Sequence, residues 1–190
     1  MKTEIKIIKT LLADRTASFT IRGLAKMADL DYKIVHTAVQ LLFKKGVLDK
    51  KKIGSSTSIK LSGDLTSEVV LAELERRESL LRNSDFSAIY DKIAALKFPF
   101  IALIFGSCAK GGARRGSDID IMVLCEKGRE RSLENSISIL PLNIHLVPLT
   151  FDEFTTMAKS REFTVVSEVL KTNVILVGIE DFYRLVGHHV

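Results

Sequence analysis

Ile101-Ala102-Leu103-Ile104-Phe105-Gly106-Ser107, a loop of small and basic residues, and then Ser117-Asp118-Ile119-Asp120-Ile121-Met122-Val123-Leu124 form the stretch on which the reading of this chain turns. The first apolar run has the length of a buried strand and stops at a glycine. In the second, alternate residues of a strand share a face, so Asp118 and Asp120 turn to one side while Ile119 and Ile121 turn to the core. Two neighbouring carboxylates repel one another unless a cation lies between them. An oxygen-only pair of this kind suits Mg²⁺, which takes one or two carboxylates together with substrate phosphates. Gly106 lets the backbone approach a bulky anion, and Ser107 adds a hydroxyl and an N–H. Lys110, Arg114 and Arg115 bring positive charge to the loop. The loop lacks the Gly-Lys-Ser/Thr of a P-loop and the G-x-S-x-G frame of a nucleophile elbow.

The run Gly106-Ser107 … Ser117-Asp118-Ile119-Asp120, with its preceding strand, resembles the nucleotidyltransferases of the DNA polymerase β superfamily. Among these it is most similar to the minimal nucleotidyltransferases, over roughly residues 86–186. The resemblance implies a mixed sheet with helices on one side, bound Mg²⁺ (or Mn²⁺), and transfer of a nucleoside monophosphate from a nucleoside triphosphate, expected to be ATP, to a hydroxyl acceptor. At the matching positions it implies Asp118 and Asp120 as catalytic metal ligands. Gly106 and Ser107 would hold the triphosphate, with Lys110, Arg115 and Ser117 as further nucleotide-binding residues. The family adds a third carboxylate on the next strand, which here reads as 142–147 and shows Asn143, His145 and Val147 on its alternating face. His145 is the candidate in its place, as base or ligand, because neutral imidazole serves either way. Its plain alternative is a half-buried polar side chain. Glu126 and Glu134 are further stand-ins, better suited to the surface of a turn and a helix. Downstream, 152–154 open a helix, and 173–183 read as a strand, a glycine turn and a closing helix, also as in small transferases of this type.

Residues 1–63 have a different character. They hold 13 Lys and Arg against 5 Asp and Glu, a net of +8, while the remaining 127 residues carry a net of −3. A basic part joined to a mildly acidic one suggests a polyanion-binding module beside one with other work. Helical spacing is expected over 4–14 and 21–30, the latter with Leu24, Ala25, Met27 and Ala28 inward. A third helix is expected after Asp31, with Ile34, Val35, Ala38, Leu41 and Leu42 inward and Gly46 closing it. Two short strands, 47–53 and 58–61, follow around a polar turn at 54–56. This order resembles a winged helix-turn-helix, in which the third helix enters the major groove and the hairpin touches backbone. Lys33, His36, Thr37, Gln40 and Lys44 would then face DNA, and Lys50, Lys51 and Lys52 would meet phosphates. The same faces also suit solvated surface on a dimerisation or interaction module.

The fold class expected is therefore α+β: a winged helix-turn-helix over 1–63, a connector helix over 64–84 and a nucleotidyltransferase-like mixed-sheet domain over 85–190. The connector's Glu and Arg residues pair locally in this reading and face solvent. Two heptads are too few to establish a dimer seam, so a homodimer stays open. With 190 residues, 46% hydrophobic and 27% charged, the chain is not disordered in general. No apolar run approaches the ~18 residues of a membrane helix. Glu4, Lys6, Lys9 and Asp14 interrupt any secretory core, and Cys108 and Cys125 read as free thiols, so a cytoplasmic protein without membrane partners is expected. The expected function is a Mg²⁺-dependent transferase acting alongside double-stranded DNA. The alternatives are a DNA-binding regulator with a nucleotide-sensing or inactive transferase-like part, and an antitoxin-like partner that modifies a toxin or other protein acceptor.

Overall fold

The computed structural model describes residues 2–53, 56–112, 118–160 and 162–187. The first three helices are α1 (Lys2–Leu12), α2 (Ile21–Met27) and α3 (Tyr32–Lys44). Thr20 caps α2, and the Asp31 side chain accepts the Lys33 amide at 2.8 Å to start α3. These oxygens satisfy amides that a first helical turn leaves without partners. Gly46, at φ +71°, ends α3 in the left-handed conformation that glycine adopts at little cost. β1 (Leu48–Ile53) and β2 (Ser56–Leu61) pair antiparallel as a hairpin, and a bridge joins Phe19 to Ile59. Residues 54 and 55 of the expected turn lie outside the described residues.

The apolar pattern of α2 and α3 is broader than the surface available to cover it. Leu24, Val35, Ala38 and Leu42 are buried, but Met27, Ile34 and Leu41 are exposed and Val39 is buried in their stead. That corrects the expected inward faces.

A second correction concerns α4 (Ser67–Leu81). It packs against α1 and supplies Val69 and Ala72 to the first core, so it does not face solvent throughout. Its Glu73 is fully buried, and two of its three partners come from far along the chain. Arg15 donates to Glu73 Oε1 through Nη2, Tyr183 donates to the same oxygen at 2.8 Å, and Arg76 Nη1 donates to Oε2 at 2.8 Å. Arg15 also reaches Asn173 Oδ1 at 3.0 Å, while its backbone N–H donates to the Lys171 carbonyl at 2.9 Å. Burial pushes the Glu73 carboxyl up, but the Arg15 and Arg76 guanidiniums outweigh it and hold the group below its usual range.

α5 (Ser84–Ala94) leads into a four-stranded sheet of order β5-β4-β3-β6. β3 (Phe100–Ile104) pairs antiparallel with both β4 (Ile119–Cys125) and β6 (Val174–Val177), and β4 runs parallel to β5 (Ile144–Leu149) through a crossover that carries α7 (Glu130–Ile137). α6 (Gly106–Ala109) follows β3 directly. α8 (Phe151–Lys159), α9 (Val165–Lys171) and α10 (Ile179–Val186) complete the chain. Ala102, Ile104, Ile121 and Val123 pack under α5 and α7, whereas Leu103, Met122 and Leu124 pack under α8, α9 and α10. Helices therefore cover both faces of the sheet, not one. That cover explains why β3 and β4 are apolar at nearly every position instead of alternating. Among the described residues no helix is long and apolar enough to cross a membrane.

Candidate active site

The end of β3, the turn after it and the start of β4 converge because β3 and β4 are antiparallel partners. Phe105 N donates to Asp120 O at 3.1 Å, extending the ladder past the last strand residue. Gly106 then turns the chain at φ +66°. A side chain at this position is disfavoured twice: by the conformation, and because a Cβ would lie 2.5 Å from Asp120 Oδ2, which would have to move. Glycine thus makes the room in which one carboxylate oxygen lies against the turn. Ser107 is exposed at the start of α6, and its carbonyl accepts the Lys110 and Gly112 amides at 3.2 and 3.0 Å, which folds the loop back on itself.

Asp118 immediately precedes β4 and Asp120 lies within it, on the same side as Met122 and Leu124, while Ile119 and Ile121 go to the core. The other oxygens of the pair turn towards β5. Asn143 Nδ2 donates to Asp118 Oδ1, and His145 Nδ1 lies 3.2 Å from Asp120 Oδ1. The parallel register sets this match, since Asp120 stands opposite His145 and Ile119 N donates to Asn143 O at 2.9 Å. His145 keeps 67% of its side chain exposed and Asp120 28%, so the dyad opens to solvent. From the far side of the loop, Lys110 Nζ meets Glu168 of α9 at 3.6 Å.

The structure thus brings together Gly106, Ser107, Asp118, Asp120 and His145, while the Lys110 side chain turns to Glu168 of α9. Arg115 and Ser117, also expected to hold nucleotide, lie outside the described residues, as does Arg114. Glu126 follows β4 at its opposite end and Glu134 lies exposed on α7, so neither joins the carboxylate pair. Asn143 and Glu168 join the constellation without an expected role. The signal for Asn143 is its place one strand repeat before His145. Glu168 has none, because its approach depends on how α9 folds over the sheet. Two carboxylates, one pressed against a glycine turn that a Cβ would fill, form an oxygen donor set suited to a hard divalent cation shared with phosphate. Among the described residues no group of three or more His, Cys, Asp and Glu forms a ready-made metal cage. Cys108, buried beneath the loop, donates weakly to Asp118 O at 3.6 Å, and burial raises its thiol above the ordinary range.

In the first 63 residues, Lys33, His36, Thr37, Gln40 and Lys44 are all exposed along α3, as are Lys50, Lys51 and Lys52 on β1. Strand alternation divides the lysines. Lys50 pairs across the hairpin with buried Ile59 and lies 5.4 Å from the Phe43 ring, whereas Lys51 turns to the other face.

Residues 87–180 match the family model described as polymerase beta, nucleotidyltransferase. No curated protein matches the chain. A solved structure described as a toxin-antitoxin with AMP-PNP is similar at 21% identity and a TM-score of 0.34, covering 58% of this chain and 77% of that one.

Proposed function

We propose that the chain is a Mg²⁺-dependent nucleotidyltransferase of the cytoplasm that moves a nucleoside monophosphate from a triphosphate, with ATP as the expected donor, to a hydroxyl acceptor. The observation that carries this reading is the pair Asp118 and Asp120 set against the Gly106-Ser107 turn, within the segment that matches the family model. The acceptor oxygen bonds to the α-phosphorus, the α–β bridging bond breaks, and pyrophosphate leaves. Asp118 and Asp120 would hold the cation, which when bound orients the α-phosphate and neutralises charge on the leaving group. Ser107 and Lys110, both exposed, would bind the triphosphate. His145 would take the acceptor's proton. With Nδ1–H given to Asp120, its Nε2 is the basic nitrogen.

In the same reading the first 63 residues act as a winged helix-turn-helix that engages double-stranded DNA. Its support is the exposure of the α3 side chains and of the hairpin lysines on a part of the chain with net charge +8. One observation favours a second reading, a DNA-binding regulator that holds nucleotide as a signal: β5 presents Asn143 and His145 to the aspartates in place of a third carboxylate. Incubation with α-labelled ATP, Mg²⁺ and cell extract separates the two. Label transfer that disappears in the Asp118→Ala/Asp120→Ala chain supports the transferase, whereas nucleotide binding with no transfer supports the regulator.

A further inference from the structure

We propose, building on the nucleotide reading above, that this site takes a single divalent cation per nucleotide, on the Gly106 side of the aspartates, with Asn143 and His145 standing where a second ion would otherwise lie. The argument starts from how the carboxylate oxygens are divided. Asp120 Oδ2 faces the glycine turn, at the position a Cβ of residue 106 would approach to 2.5 Å. Asp118 Oδ1 and Asp120 Oδ1 face β5, and each already has a nitrogen partner there. A cation on the turn side arrives with the phosphates of the nucleotide and draws part of its octahedron from them. One on the β5 side would depend on carboxylate oxygens that Asn143 and His145 already engage.

The β5 side chains are unsuitable donors for Mg²⁺. Asn143 turns its N–H, not its carbonyl oxygen, to Asp118, and imidazole suits softer ions than one that prefers oxygen. Among the described residues no third acidic group completes a cage at these aspartates.

The inference is tested by equilibrium dialysis of the full chain against saturating Mg²⁺ and a non-hydrolysable ATP analogue, with metal and nucleotide both counted in the protein compartment. The unmodified chain should retain one Mg²⁺ per nucleotide. His145→Asp places a carboxylate opposite Asp120 and should raise the ratio to two, with a thermal melt confirming that this exposed substitution leaves the fold intact. Two ions per nucleotide on the unmodified chain would overturn the single-ion assignment while leaving nucleotide binding standing. A His145→Asp chain that still retains one ion would overturn the role given to the β5 donors. Retention of neither ion nor nucleotide would overturn the inference and the function it rests on together.

Discussion

Replacing Arg15 with alanine should destabilise the chain far more than removing any surface charge. Arg15 is almost wholly buried, its side chain 2% exposed, and it binds Glu73, whose side chain is 0% exposed. Removing one member of a buried pair costs about 3–5 kcal/mol, because the survivor is left charged without compensation. Here Arg76 and Tyr183 still hold Glu73, which puts the expectation near the lower end, about 3 kcal/mol. For a chain of this length about 3 kcal/mol corresponds to a melting temperature lower by about 6–12 °C. Urea unfolding followed by circular dichroism reads the change directly. Lys9→Ala is the control, since the Lys9–Glu75 pair closes to 2.8 Å but is 36% and 51% exposed, and its removal should cost less than about 1 kcal/mol. The pH dependence has a definite sign. Glu73 is held below its ordinary range in the folded state, so its stabilisation is complete above the unfolded carboxylate pKa of about 4.3 and is lost as pH falls through the lower folded value. The gap between Arg15→Ala and the unmodified chain should therefore narrow in acid. If Arg15→Ala and Lys9→Ala cost the same at neutral pH, the argument from burial is refuted.

Other outcomes follow from the site and the hairpin. Gly106→Ala should abolish nucleotide binding in calorimetry and lower stability by at least the ~1–2 kcal/mol of a left-handed non-glycine residue, since its Cβ would meet Asp120. Changing Lys50, Lys51 and Lys52 together to alanine should flatten the salt dependence of duplex DNA affinity by about 0.9 in log–log slope for each phosphate no longer neutralised. An unchanged slope would remove the hairpin from any DNA interface. Cys108 and Cys125 are both buried with thiols raised by burial, so iodoacetamide at neutral pH should label neither until the chain is unfolded.

The parts of this molecule that are readable in its sequence are those set by short-range pattern. Asp31 and Gly46 bracket the third helix, and the alternation of Asp118, Ile119, Asp120 and Ile121 divides site from core within a single strand. Where partners from afar decide, local pattern misleads. Glu73 looks like one of several charges on a polar helix, and only the arrival of Arg15 and Tyr183, distant by 58 and 110 positions, makes its burial tolerable. Apolar spacing places the third strand of the site at 142–147, whereas β5 runs from Ile144 to Leu149 and includes Pro148. A proline is a poor sign of a strand except at a sheet edge, and β5 occupies that edge. Met27, Ile34 and Leu41 carry helical spacing yet remain exposed, because spacing specifies an apolar face without saying whether anything covers it.

α9 touches both halves of the molecule. Its Glu168 leans on Lys110 beside the glycine turn, while the Lys171 carbonyl holds the Arg15 amide and the Lys171 ammonium meets Asp14 at 3.6 Å. The two ends are set like the jaws of a calliper. In the proposed reading, a polymer held by the first 63 residues and a nucleotide at the turn would be joined through this short helix and not through a loose tether.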